Sequence, residues 1–187
     1  MKKSIKDLQG LKIEDSIDDL EDLEGNKFLR FLKELLPYVI ILVVVVLLRT
    51  FVVTPIIVSG KSMSPTLDGG EVMILNKLDE IERYEIIVAD IDSEKIIKRV
   101  IAMPGESISC ENGIIYVNDK KIEEKYGNGI TSDFDRIVLD ESEYYVLGDN
   151  REDSLDSRIL GPVNIKDIKG TTKFVLFPLS DFGTLEK

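Results

Sequence analysis

The sequence predicts a mostly β fold carried on one apolar helix. Three observations lead there. From Thr54 onward, short runs of branched and aromatic residues follow one another, separated by turns bearing glycine, proline or asparagine. That region shows no long helical periodicity. Ahead of it lies a single unbroken apolar run, Leu35 to Leu48.

In chain order, the first 34 residues are polar and acidic in the middle, with seven Asp or Glu and one Lys between positions 11 and 24. Leu11, Ile13, Ile17, Leu20 and Leu23 recur near helical spacing, which admits a short amphipathic helix, but a solvated tail suits that charge density better. The apolar run LLPYVIILVVVVLL has 14 residues, and carrying it through Arg49 and Thr50 to Val53 makes 19. At about 1.5 Å per residue it spans roughly 28 Å, close to a bilayer core. Arg49 lies near one end, where its stem can lie in lipid and its head reach the interface. Pro37 falls in the first turn of a helix that begins at Leu35, where proline is tolerated. A cleaved leader would need a short basic start and small residues at its end, and TPIIVSGK has no A-x-A pattern. A buried core helix is the alternative, yet an all-round Val/Leu/Ile surface suits lipid better. The expected organisation is a tail (1–34), a transmembrane anchor (35–54) and one β-rich domain (55–187). Lys27, Arg30 and Lys33 precede the run, so the positive-inside bias puts the N-terminus in the cytoplasm and the β domain on the outer face of the membrane.

The expected strands are VMIL (72–75), EIIVADI (85–91), KIIKRVIAM (95–103), SISC (107–110), GIIYVN (113–118), YYVLGD (144–149) and KFVLF (173–177). Asp68-Gly69-Gly70, Pro104-Gly105, Glu111-Asn112-Gly113 and Gly127-Asn128-Gly129 punctuate them. The stretch ENGIIYVNDKKIEE reads as two strands joined at Asn118-Asp119.

Composition excludes several functions. With 24 basic and 35 acidic side chains the net charge is -11, which argues against nucleic acid as a partner. The chain has no histidine, so a Ser-His-Asp triad and a Cys-His pair are impossible. Its one cysteine, Cys110, permits no intrachain disulfide and sits in an alternating stretch that suits packing. Without histidine and with a single thiol, a zinc or copper site is not expected, nor is any other cofactor.

A serine nucleophile would then need lysine as its base. At a pKa of about 10.4, only about one lysine in a few thousand is neutral at pH 7, so the amine must be withdrawn from water. In KIIKRVIAM, strand alternation sets Lys98 in a row with Ile96, Val100 and Ala102. Lys95, beside Glu94, is the one expected in solvent. An edge-strand lysine that blocks aggregation is the plainer reading of Lys98. In SGKSMSPTL, Gly60 permits a tight turn that would expose Ser62 and aim backbone N–H groups at an oxyanion; a simple Ser/Gly loop competes. The stretch GDNREDSLDSRILG (148–161) is either a surface loop or a buried network of Arg–carboxylate pairs.

These three stretches, in order after one apolar segment, resemble the boxes of the bacterial type I signal peptidases. Ser62-Met63-Ser64-Pro65-Thr66-Leu67 is similar to S-M-x-P-T-L. Lys98 to Glu106 resembles K-R-V-x-x-x-P-G-[DE]. Gly148-Asp149-Asn150-Arg151, with Ser154, Asp156-Ser157-Arg158 and Gly161, resembles G-D-N-R-x-x-S-x-D-S-R-x-x-G. The resemblance covers about residues 35 to 178. It implies a protease domain of coiled antiparallel β-sheets, with Ser62 as nucleophile and Lys98 as general base. It implies that Ser154 orients the Lys98 amine, and that Asp149, Asp156, Arg158 and Arg99 hold the loops by ion pairs. Gly60 stands where some relatives have an oxyanion-donating serine, leaving backbone N–H groups to that task. Val58, Met63, Leu67 and Ile97 match positions lining shallow pockets for small residues at −1 and −3. The implied partners are signal-peptide-bearing preproteins and the lipid bilayer. Two departures stand out. The box R-G-D-I-V-V of many relatives is Arg83-Tyr84-Glu85-Ile86-Ile87-Val88 here, and a large inserted subdomain of longer relatives is missing.

Overall fold

The computed structural model describes residues 27–47, 49 and 52–185. The acidic stretch 11–24, and Leu48, Thr50 and Phe51 of the expected anchor, lie outside the described residues. The chain divides into two compact units, Met1–Leu48 and Arg49–Lys187.

Among its described residues the first unit contains one helix, α1, over residues 27–47, and every described side chain on it is exposed. The helix is already formed at Lys27, because Lys27 to Glu34 contain no β-branched residue, glycine or proline that would oppose it. Pro37 therefore stands inside α1 and not in its first turn. There it withholds the N–H that would have bonded to the Lys33 carbonyl. With Arg30, Lys33 and Glu34 inside it, the described part of α1 is apolar only from Leu35 to Leu47. Among the described residues, no helix is long and apolar enough to cross a membrane.

The second unit is built from strands. In chain order they are β1 (Val53–Ile57), β2 (Val72–Asn76), β3 (Ile86–Ile91), β4 (Glu94–Ala102), β5 (Ser107–Glu111), β6 (Ile114–Val117), β7 (Lys120–Lys121), β8 (Phe134–Val138), β9 (Glu143–Leu147), β10 (Val163–Asn164), β11 (Ile168–Phe177) and β12 (Gly183–Thr184). One short helix, α2 (Ser157–Leu160), follows β9. The larger sheet runs β1-β2-β11-β3-β4-β9-β10, with β12 paired to β11, and the smaller runs β7-β6-β5-β8. Every strand pairing is antiparallel. The mostly β, antiparallel architecture is the one the sequence predicts.

The seven expected runs are β2 to β6, β9 and β11. Between β3 and β4, between β5 and β6, and between β6 and β7 the chain reverses through paired left-handed residues. These are Asp92-Ser93, Asn112-Gly113 and Asn118-Asp119, with φ from 50° to 75°. Such pairs match the twist of two antiparallel strands. Strand β1 is not foreseen, since Pro55 cannot donate within a sheet interior. It is tolerated because β1 is an edge, paired only with β2. Its first residues, Val53 and Thr54, are the last two of the segment expected as anchor. Strand β8, FDRIV, is mostly exposed and carries too few apolar residues to stand out. Tyr84, where the resembled box has glycine, sits at φ 69°, so the turn keeps a left-handed geometry without glycine.

Three clusters of buried side chains stabilise this unit. The first joins Ile56, Val58, Met63 and Leu67 to Met73, Leu75, Ile86, Val88 and Val175. The second packs the small sheet, through Ile108, Cys110, Ile115 and Val117, on Ile101, Ala102, Tyr145 and Leu147 of the large one. The third lies on the opposite side of β4, around Ile87, Ala89, Val100, Tyr144, Val146 and Val163. Cys110 is a packing residue there, and burial pushes its thiol up to about 11, far from a reactive thiolate. Ile108 is 1% exposed at the centre of the second cluster. Replacing it with alanine should cost about 2–5 kcal/mol, read from the denaturant midpoint at unchanged slope.

Candidate active site

Strand β4 lies between β3 and β9, so Lys98 is an interior residue and the edge-strand reading of it is excluded. Strand alternation holds from Ile96 to Val100, but a register shift between Val100 and Ala102 moves Ala102 out of the row of Lys98 and into the second cluster beside Ile101. Ile96 and Val100, on the face of Lys98, pack in the third cluster, while Ile97 packs against the first. Lys98 is 4% exposed. Lys95, three residues earlier, is half exposed and pairs with Asp90 at 2.6 Å.

The loop after β1 brings Ser62 to this amine. Gly60 turns the chain at φ 80°. Residues 63 to 67 then close one turn, with the Leu67 N–H donating to the Met63 carbonyl at 2.9 Å. The buried Met63 and Leu67 side chains seat that turn in the first cluster. The Lys98 Nζ donates to the Ser62 Oγ at 2.7 Å. Burial pushes the Lys98 ammonium below its usual range; the Asp156 carboxylate opposes this, Arg158 reinforces it and Asp149 opposes it.

The stretch 148–161 is a buried polar network. The Arg99 guanidinium bonds both Asp149 oxygens at 2.8 and 2.6 Å, donates to the Tyr84 carbonyl at 2.7 Å and lies 3.8 Å over the Tyr126 ring. Arg158 donates to both Asp156 oxygens at 2.9 and 2.8 Å. Burial alone would raise the Asp156 carboxyl, but Arg158, the Gly148 N–H and Ser154 hold it below the usual carboxylate range. The four residues that the resemblance expects in ion pairs are thus joined as Arg99–Asp149 and Arg158–Asp156.

Two expected positions differ. The Ser154 hydroxyl is near enough to Asp156 to favour its charge, yet it is buried with no partner at hydrogen-bond geometry. A bond from Ser154 to the Lys98 amine is not formed. Leu67 is fully buried behind the Ser62 loop and does not line the cleft. Val58, Gly60, Met63 and Ile97 do line that cleft, a space of about 430 Å³ that also holds Ser62, Lys98, Asp153 and Leu155.

Sequence reasoning missed the part played by the segment before β8. Arg151 forms a bidentate pair with Glu124, both bonds at 2.6 Å, and donates to the Thr131 hydroxyl at 2.7 Å and the Gly148 carbonyl at 3.0 Å. Tyr126 stacks on Arg99. No local pattern marks Glu124 or Tyr126. Among the described residues, no group of three or more metal-ligating side chains comes together.

Asp149 is fully buried and Arg99 nearly so. Asp149→Ala should therefore cost about 3–5 kcal/mol in the denaturant midpoint, since it strands a buried guanidinium. A milder loss, within 1 kcal/mol, would mean that Tyr84 and Tyr126 alone satisfy Arg99.

A family model described as "Signal peptidase, peptidase S26" matches residues 31–177. A "Signal peptidase I" of Bacillus amyloliquefaciens is 38% identical over 161 residues, covering 76% of this chain and 83% of that protein. A "Signal peptidase I P" of Bacillus subtilis subsp. natto is 36% identical over 179 residues, covering 86% and 95%. A crystal structure of a signal peptidase I from Enterococcus faecalis V583 superposes with a TM-score of 0.46 at 28% identity, over 50% of this chain and 97% of that one. The chain belongs to the signal peptidase family, peptidase S26, as a bacterial type I enzyme, a protease that removes signal peptides.

Proposed function

We propose that the chain cleaves exported preproteins with a Ser62–Lys98 dyad, after small residues at −3 and −1, while held to the membrane by the segment 35–54. The observation that carries this reading is the 2.7 Å contact between the Lys98 amine and the Ser62 hydroxyl in a site where burial disfavours the ammonium.

In its neutral form the Lys98 amine accepts the Ser62 proton as Oγ attacks the scissile carbonyl. The resulting oxyanion is met by the N–H of Ser62, with that of Gly60 beside it. Collapse breaks the C–N bond, and the Lys98 ammonium gives its proton to the departing amine of the mature chain. The signal peptide is left as an ester on Ser62. Lys98 then takes a proton from water, the hydroxide attacks the ester, and the proton returns to Ser62 as the signal peptide leaves with a carboxylate. Arg99–Asp149 and Arg158–Asp156 hold the loops through these steps. Ser154 orients the Lys98 amine in this reading, and its buried, unpartnered hydroxyl, free to take up that bond, supports the role.

The cleft has apolar walls from Val58, Met63 and Ile97, of which the first two are almost wholly buried and expose little surface to a substrate. Small side chains suit them. The exposed apolar side chains of α1 from Leu35 to Leu47 support the anchor, and Lys27, Arg30 and Lys33 support a cytoplasmic N-terminus with the catalytic domain on the outer face. Confinement of enzyme and substrate to one bilayer raises their effective concentration and offsets weak recognition of small side chains.

With a preprotein in detergent, Ser62→Ala and Lys98→Ala should each lose at least about a thousandfold of the cleavage rate, by analogy with removal of a triad member. Lys95→Ala should stay within about twofold, because that amine is in solvent and paired elsewhere. A Lys98→Ala enzyme of normal rate would end the lysine-base assignment. The pH dependence carries a definite sign. The base works only when deprotonated, so kcat/KM should rise with pH and level off, with its midpoint below the usual lysine value of 10.5. A profile flat from pH 6 to 10, with chemistry rate-limiting, would refute general-base catalysis by Lys98.

A further inference from the structure

Asn150 lies within the third box, but neither the ion pairs nor the proton transfers employ it. It holds the nucleophile loop at two points. Its main-chain N–H donates to the Ser62 carbonyl at 3.0 Å. Its side-chain Nδ2 donates to the Lys61 carbonyl at 3.2 Å. Asn150 is itself braced from behind: the Asn128 N–H donates to the Asp149 carbonyl at 2.7 Å, and the Arg151 N–H donates to the Asn128 carbonyl at 2.9 Å.

The second of these points has a geometric consequence. The Lys61 carbonyl and the Ser62 N–H belong to one planar trans peptide and point in opposite directions. A grip on the Lys61 oxygen therefore turns the Ser62 N–H away from Asn150. That N–H meets no acceptor among the described residues. Residues Ser59 to Met63 line the cleft, whereas Asn150 does not. An unbonded N–H on the nucleophile, facing the cleft, is a donor free for a developing oxyanion.

We propose that Asn150 is a positioning residue: its side-chain amide, through the Lys61 carbonyl, aims the Ser62 N–H at the oxyanion of the tetrahedral intermediate. This rests on the Ser62–Lys98 reading above. The main-chain bond from Asn150 to the Ser62 carbonyl does not depend on the side chain, so a substitution leaves the loop seated and frees only the tilt of one peptide. The Ser64 N–H also donates to the Lys61 oxygen, at 3.1 Å. The loss is therefore smaller than the roughly 10²–10³ that follows removal of a whole oxyanion donor.

The test compares Asn150→Leu, of similar size without a donor, and Asn150→Ala with the full-length wild type in detergent. In each, kcat should fall about tenfold or more, with KM within twofold and the midpoint of the pH profile unmoved. Affinity for a peptide aldehyde, whose adduct with Ser62 carries the oxyanion, should fall in step with kcat. Affinity for the released signal peptide should not change. If Asn150→Leu does not fold, Asn150→Ala carries the same comparison. Rates within twofold of wild type overturn the proposal, as does an equal loss of aldehyde and product affinity, which marks a general loosening of the site. Ser62→Ala separates the two readings. An active Ser62→Ala enzyme defeats the dyad itself, whereas an inactive one beside unaltered Asn150 variants defeats only the positioning role.

Discussion

The site depends on one amine held out of water against one hydroxyl. A lysine withdrawn from solvent prefers to be neutral, but nearby carboxylates would draw the proton back. Asp149 and Asp156 are both fully buried, and both stand close enough to act on Lys98. Each is tied by two bonds to its own arginine, so its charge is largely spent on a partner. Burial is then the largest influence on the amine, with the carboxylates only opposing it. The ion pairs thus do more than hold loops: they keep the surroundings of Lys98 close to neutral.

The geometry follows from where β4 sits. As an interior strand it offers Lys98 and Arg99 to opposite faces, one toward Ser62 and one toward Asp149. Three chain segments then converge at Gly148, where a Cβ would land on the Ser154 side chain and the Ser62 carbonyl oxygen. Glycine is required there by close approach. The same crowding explains how Asp149, Arg151, Asp156 and Ser157 of the stretch 148–161 are buried: its backbone and carboxylates satisfy one another, with α2 capped by Asp156.

The segment 123–131 has a supporting role of its own. Glu124 holds Arg151, Tyr126 covers Arg99, and Asn128 bridges Asn150. Gly127 is packed so closely against the Arg151 guanidinium that a Cβ would lie 2.7 Å from its central carbon. The loop that carries the box residues is therefore clamped from a region with no recognisable motif. Apolar clusters stabilise the sheets, while this polar strap sets the loop whose Asn150 reaches the Lys61 and Ser62 carbonyls.

Much of this was legible in the chain alone. Period-two alternation separated Lys98 from Lys95, because strand geometry assigns faces without knowing the neighbours. The antiparallel β class, the Asn118-Asp119 hairpin and the two arginine–carboxylate pairs were equally local, or carried by boxes with fixed spacing. Other features needed the folded chain. Strand β1 exists because an edge tolerates Pro55, and β8 because β5 needs a second partner. Pro37 lies inside its helix because Lys27 to Glu34 also coil. Leu67 is a core residue and Ser154 lacks a partner because packing, not motif position, decides exposure. Glu124, Tyr126 and Asn150 join the site from 27 to 89 residues away. Contacts of that separation leave no periodic trace in sequence; they are chosen by loop closure and burial, which only the tertiary structure specifies.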